Sequence, residues 1–279
     1  SIRVPASLCG TLGYKPTYGL ASTDGIVTLS WSMDHTGLMG STSEDVAILM
    51  NALQGVDPTD PGTLDRANDD YTGYLFKDVK GFRVGLVVEA LDGADPETLR
   101  VFGEFVETLK SLGVEVVETK VPSADDFRLC NNLGLIISRV EAAAYHTAFP
   151  DAGPKYITQV FEQLDEAAQV KAVDYINAQR YRSEFRERML DELEGFDAFI
   201  MPTTLVPAVK SEDTEQYLTI LSRNCIPWSM IGFPTLSAPA GLTSGGLPVG
   251  AQFVSAPFDD GIILALASAL ESATEQQRP

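Results

Sequence analysis

The segment from Gly81 to Val121 restricts the fold more than any other. GFRVGLVVE is an apolar, β-branched run of strand length, and GVEVVETKV is a second. Between them Asp95-Pro96-Glu97 spells a helix start, and Leu99, Phe102, Phe105, Val106 and Leu109 recur at the 3.6-residue period. Two strands separated by a full helix pair in parallel through a right-handed crossover. That geometry needs a sheet with helices lying on it. The loop before the helix, ALDGADPE, lacks GxGxxG and puts acids where a pyrophosphate would sit, so the unit does not read as a nucleotide site.

The rest of the chain fits around this unit. Ser123 to Gly195 is helical in pattern, DAFIMPT is a buried strand ending at Pro202, and IILALASAL is an apolar helix. GFPTLSAPAG and GGLPVGAQFV read as strands that Gly245-Gly246 joins as a hairpin. The first ten residues read as a short helix, with Pro5 in its first turn and Gly10 past its end. Thr11 to Gly40 is rich in turns and holds one more candidate strand, GIVTLSW. Ser41 to Glu44 spells a capping box for a helix with Val46, Leu49, Met50 and Leu53 on one face, ended by Gly55. Val56 to Tyr74 is an Asp-, Pro- and Gly-rich exposed loop. The fold class is α/β, a mixed β-sheet core flanked by helices.

Charge narrows the partners. A net charge of −19 repels phosphate backbones and anionic headgroups, so neither nucleic acid nor a membrane surface is expected. No apolar run has the length of a membrane span, and Arg3 and Pro5 interrupt any secretory leader at the start. Three cysteines, Cys9, Cys130 and Cys225, are an odd number without CxxC pairing, which suits a reducing, cytoplasmic setting. With two histidines and no cluster at metal-ligand spacing, no metal and no cofactor are expected.

No GxSxG elbow occurs, so the usual α/β-hydrolase serine is not present. His35 and His146 read as structural histidines and the three cysteines as core thiols. Ser1 differs, because it stands just ahead of a helix start, where free amides favour negative charge. Serine is also an ordinary helix cap, so the residue pattern alone leaves both readings open.

SIRVPASLCGTLGYKPTYG resembles the second half of the signature of the amidase-signature hydrolases. The similarity continues through SWSMDHTGLMGSTSEDVAILMNALQGVDPTDP, DAFIMPTT and GFPTLSAPAGLTSGGLPVGAQFV, and ends at Arg278-Pro279. The loosest stretch is 120–195. The resemblance implies an amidase-signature fold over residues 1–279 whose N-terminal part lies upstream and is missing here. It implies that Ser1 is the acyl-forming nucleophile. It also implies that a lysine, a bridging serine and a glycine-rich oxyanion turn lie in that upstream part, and that Lys15 is structural. Arg3 would brace the glycine turn through an ion pair.

The implied reaction is cleavage of a carboxylic amide C–N bond through an acyl-enzyme, with no cofactor. Met33 and Trp228, large and set in loop-like sequence, are the candidate substrate contacts, with core packing as the competing reading. The expected partners are a small-molecule amide, the upstream segment and a homodimer mate. Three other readings remain. One is the glutamine-amidase subunit of a tRNA-dependent amidotransferase, against which WSMDHTG reads more like the stand-alone amidases. Another is a non-catalytic amidase-derived fragment. The third is an N-terminal-nucleophile hydrolase using the Ser1 α-amino group as base, which would need a starting strand rather than a helix.

Overall fold

The computed structural model of the chain describes residues 1–274; the Arg278-Pro279 resemblance lies outside them. The elements run α1 (Arg3–Cys9), β1 (Leu12–Lys15), β2 (Leu38–Gly40), α2 (Ser43–Leu53), β3 (Arg83–Val87), α3 (Pro96–Ser111) and β4 (Glu115–Thr119). They continue with α4 (Ala124–His146), α5 (Thr158–Ala168), α6 (Ala172–Leu193), β5 (Ala198–Pro202), α7 (Thr214–Ser222) and α8 (Ile226–Ile231). A hairpin of β6 (Thr235–Leu242) and β7 (Pro248–Val254) and then α9 (Asp260–Thr274) complete it.

One seven-stranded mixed sheet, ordered β2-β1-β6-β7-β5-β3-β4, organises these elements. β3 pairs in parallel with both β4 and β5, as the crossover pattern requires. β7 runs antiparallel to β5 and β6, and β1 antiparallel to β6 and β2. Asp95 caps α3 by accepting from the Glu97 amide, with Pro96 at the first helical position.

Alternation along the strands sorts the core onto two sides. On β5, Ala198 and Ile200 point to one side, and Phe199 and Met201 to the other. The first side packs against α2, α3 and α9 through Val46, Met50, Phe102, Phe105, Leu109 and Ile263. The second packs against α4, α6 and α8 through Phe127, Ile137, Phe185, Met189 and Trp228.

Three local expectations change. GIVTLSW is not a strand: no neighbour offers it a ladder, and the Asp34 carboxylate accepts the Leu29 and Ser30 amides instead, each at 2.9 Å. The α2 capping box uses Thr42 and Asp45, one position later than the sequence suggests. The buried face of α2 is Ser43, Val46, Ala47 and Met50, leaving Leu49 and Leu53 exposed at 42% and 44%. Leu99 likewise turns outward on α3, and Thr98 and Val101 face the sheet.

Candidate active site

Helix α1 lies against the sheet more closely than side chains normally permit. A Cβ at Gly13 of β1 would come within 2.5 Å of the Ala6 Cβ. One at Gly250 of β7 would meet the Ser7 Oγ at 2.6 Å and the Ser237 Oγ at 2.8 Å, so both positions need glycine for this approach. The Gly250 amide donates to the Ser7 Oγ at 3.1 Å, pinning the middle of α1. Ile2 packs onto Gly37, at the entrance to β2.

This seat fixes the residue before the helix. Ile2 occupies the N-cap position, so Ser1 is not a cap. Ser1 is exposed, and its hydroxyl makes no hydrogen bond to any described residue. Hydroxyls of α1 and the elements around it are engaged: Ser7 with Thr204 (3.2 Å), Thr203 with Ser237 (2.7 Å), and Ser229 with the Arg3 Nη2 (2.6 Å).

The sheet under α1 is polar. On β6 and β7, Leu236, Ala238, Ala251 and Phe253 point to the α3 side, whereas Thr235, Ser237 and Gln252 point to the α1 side. Arg3, nearly fully buried, reaches into this strip. Its Nη1 donates to the Gln252 Oε1, and its Nη2 donates to the Cys225 carbonyl (2.9 Å) and the Ser229 hydroxyl. The Gln252 Nε2 in turn donates to the Asn224 carbonyl at 2.9 Å. Among the described residues the hydrogen-bond partners of Arg3 are neutral.

A loop from Leu29 to Gly37 runs beside α1. Its first half is clamped by Glu141, a buried carboxylate on α4. Glu141 accepts from the Ser30 hydroxyl (2.6 Å), the Ser32 amide (3.1 Å) and hydroxyl (2.8 Å), and the Tyr175 hydroxyl (2.7 Å). Arg182 of α6 adds bonds to the Ser32 hydroxyl and carbonyl, at 2.8 and 2.6 Å.

The second half of the loop is held by Lys15. Its Nζ donates to the Phe233 and Pro16 carbonyls and lies 3.2 Å from the His35 Nε2. That bond needs an unprotonated Nε2, so Nδ1 carries the proton and donates to the Met33 carbonyl at 2.6 Å. Burial, and then the Lys15 charge, push the His35 pKa well down. Burial, followed by the Arg3 charge, does the same to Lys15. Together these bonds tie the second half of the loop to β1 and to Phe233.

The structure places the remaining candidates as follows. Met33 sits on the clamped loop, partly exposed, with its inner side against the α4–α8 core. Trp228 is corrected: it lies inside α8, fully buried, its ring 5.9 Å from Phe199 and 6.5 Å from Phe185. A side chain without exposed surface cannot touch substrate. Trp228→Ala is accordingly expected to cost about 3–5 kcal/mol of stability while leaving KM of the folded fraction unchanged. Thermal melts combined with KM measurements check this, and a raised KM at unchanged stability would contradict it. Cys130 and Cys225 are buried, but Cys9 is exposed at the end of α1 and is not a core thiol. His146, at the end of α4, bonds the Tyr156 hydroxyl at 2.6 Å.

Sequence reasoning overlooked Glu141, Arg182 and Gln252. Their signal was present: Glu141 stands among Ile137 and Ala142 on the inward face of α4, and Gln252 alternates with Ala251 and Phe253 in an otherwise apolar strand.

The profile of the Amidase family matches residues 1–264. An Amidase from Pseudomonas putida is 32% identical over 286 residues, pairing 98% of this chain with 60% of its own length. A Glutamyl-tRNA(Gln) amidotransferase subunit from Fusobacterium nucleatum is 31% identical over 299 residues, covering 97% of this chain and 61% of its own. The crystal structure of the corresponding Glutamyl-tRNA(Gln) amidotransferase subunit from Thermotoga maritima superposes with a TM-score of 0.84 at 28% identity, over 98% of this chain and 60% of that one. The chain thus spans about three-fifths of the length of these relatives. A match running from Ser1 into the start of α9 leaves one conclusion: this chain belongs to the amidase-signature family of hydrolases.

Proposed function

We propose that this chain supplies the nucleophile of a serine amidohydrolase, and that Ser1 is that nucleophile. The observation that carries the reading is the seat of α1, which the Gly13 and Gly250 contacts wedge onto a polar strip of the sheet with Ser1 just ahead of its Ile2 N-cap. In the reaction the Ser1 Oγ bonds to the amide carbonyl carbon and the π pair moves onto oxygen. The hydroxyl proton passes through a bridging serine to a lysine, and thence to the departing amine. Water then cleaves the ester. The lysine and the bridging serine are what the family resemblance implies for the part of the enzyme this chain does not span. The residues present here position Ser1 through α1. The reaction needs no metal or organic cofactor, and the free thiols Cys9, Cys130 and Cys225 suit a cytoplasmic enzyme.

A second reading is the amidase subunit of a tRNA-dependent amidotransferase. It is favoured by relatives bearing that name, which match at nearly the same identity over nearly the same share of the chain. The discriminating experiment offers aliphatic, aryl and amino-acid amides and glutamine to the active enzyme, meaning this chain together with the portion its relatives have beyond it. Turnover of simple amides with little preference for glutamine supports a stand-alone amidase. Turnover confined to glutamine supports the amidotransferase reading.

A further inference from the structure

The position ahead of α1 breaks a local rule. Ile2 holds the N-cap, where Ser, Thr, Asp and Asn are strongly preferred and a branched aliphatic side chain is among the poorest choices. That side chain fills a seat in the sheet instead. A Cβ at Gly37 would overlap the Ile2 Cδ1 outright, and would stand 2.6 Å from its Cγ1 and 3.0 Å from the Tyr14 carbonyl. A Cβ at Gly13 would stand 2.9 Å from the Ile2 carbonyl oxygen and 3.3 Å from the Arg3 Cα. Tyr14 and Leu38 pair across β1 and β2 and turn to the α3 side, so alternation turns Gly13 and Gly37 to the α1 side. Neither glycine can retreat. Gly13 is paired on both flanks, with Met39 of β2 and Ser237 of β6. Gly37 lies between the paired Leu38 and Thr36, whose hydroxyl donates to the Ser22 carbonyl, and His35 just before them is bonded to Lys15.

We propose that Ile2 is a positioning residue for the nucleophile: its side chain on Gly37 and its carbonyl over Gly13 set where Ser1 stands. This rests on Ser1 being that nucleophile. An α-carbon whose side chain and carbonyl are both fixed leaves its amide one orientation, and the planar peptide bond carries that placement to the Ser1 Cα. Isoleucine suits the task because branching at Cβ makes its χ1 stiff, so the Cγ1 in contact does not swing clear cheaply. The seat then acts on acylation and not on substrate affinity, since a displacement of about 1 Å at a reacting group can cost on the order of 10²-fold in rate. A purely structural seat makes another forecast. Losing it would lower melting and leave each folded molecule as fast as before.

The test uses the active enzyme and reads the rate of serine labelling by a fluorophosphonate probe per folded molecule, kcat and KM for an amide, and the melting temperature. Gly37→Ala drives a methyl into the space of Ile2 and is expected to slow labelling and kcat about 30-fold, with KM within about twofold of wild type. Ile2→Ala empties the seat from the other side and should slow both about tenfold. It also removes Cγ1 and Cδ1, the two Ile2 atoms that the Gly37 methyl would strike. The double variant should therefore label within about threefold of wild type, the coupling expected of groups in contact. If folded Gly37→Ala or Ile2→Ala labels at the wild-type rate, the seat does not set Ser1 and the inference falls. It falls as well if the double variant is no faster than Gly37→Ala alone. If a variant carrying Gly37→Ala does not fold, Ile2→Val and Ile2→Ala decide, since they shorten the side chain without adding an atom. A stepwise loss of labelling through that series upholds the inference, and wild-type labelling throughout overturns it. Ser1→Ala separates the two levels. Labelling that survives it removes the nucleophile itself, whereas labelling lost in Ser1→Ala but intact in Ile2→Ala removes only the seat.

Discussion

Ser1→Ala in the active enzyme is expected to abolish amide hydrolysis, by a factor of at least about 10⁴, and to abolish acyl-adduct formation entirely. The size follows from removing the atom that forms the covalent bond, since loss of a serine nucleophile costs hydrolases most of their rate. Substrate affinity should survive, because binding groups lie elsewhere. The fold should survive as well, because Ile2 and not Ser1 holds the N-cap position of α1, so the change removes no cap. Intact-protein mass spectrometry after incubation with an amide or a fluorophosphonate reads the adduct, and a melt reads the fold. An alanine variant that still accumulates an acyl adduct at wild-type rate would show that the nucleophile is another residue.

The second large effect concerns the 279 residues expressed by themselves. They are expected to hydrolyse no amide and to aggregate. Rescue should come from co-expressing, as a separate polypeptide, the remainder of the length that the relatives possess. Two surfaces motivate this. β2 is an outermost strand of the sheet, beside the Ile2–Gly37 contact, and its Met39 is 54% exposed. On α2, Ile48, Leu49 and Leu53 form an outward apolar stripe. An open strand edge next to exposed aliphatic side chains is an association hazard until something covers it. Size-exclusion chromatography and probe labelling, with and without the second polypeptide, give the answer. A monodisperse, cooperatively melting chain that hydrolyses amides unaided would overturn the expectation and return attention to the Ser1 α-amino group as base.

Much of the architecture could be read from the sequence because it is written in local periodicity. The β3–α3–β4 crossover, the Gly245-Gly246 hairpin and the helical run after Ser123 each follow from patterns a few residues long. GIVTLSW failed for a physical reason: its composition suits a strand, but a strand also needs a neighbour, and Asp34 takes its amides instead. Leu49, Leu53 and Leu99 failed differently, since a helix with two apolar stripes does not declare which one meets the sheet. At the site, Ser1 was legible only through its motif, because nothing in the pattern separates a nucleophile from a cap. Glu141 and Gln252 gave a weaker sign, a polar side chain at a core position, and what they hold depends on contacts more than a hundred residues away in the chain. Trp228 was misplaced because Pro227 suggests a loop, whereas proline also fits the first turn of a helix such as α8.

The two sides of the sheet have different tolerances. Toward α2, α3 and α9 the strands present leucine, isoleucine, phenylalanine and alanine, a surface that accepts exchange among aliphatic residues of similar volume. Toward α1 they present Ser237 and Gln252, whose side-chain hydrogen bonds fix both identity and geometry. Lineages of such a protein can therefore drift on one side while the other stays fixed letter by letter. A saturation scan along β6 and β7 should alternate with the pleat, permissive at Leu236, Ala238 and Phe253 and intolerant at Ser237 and Gln252, so that the rhythm of accepted substitutions by itself would tell which side of the sheet Ser1 stands on.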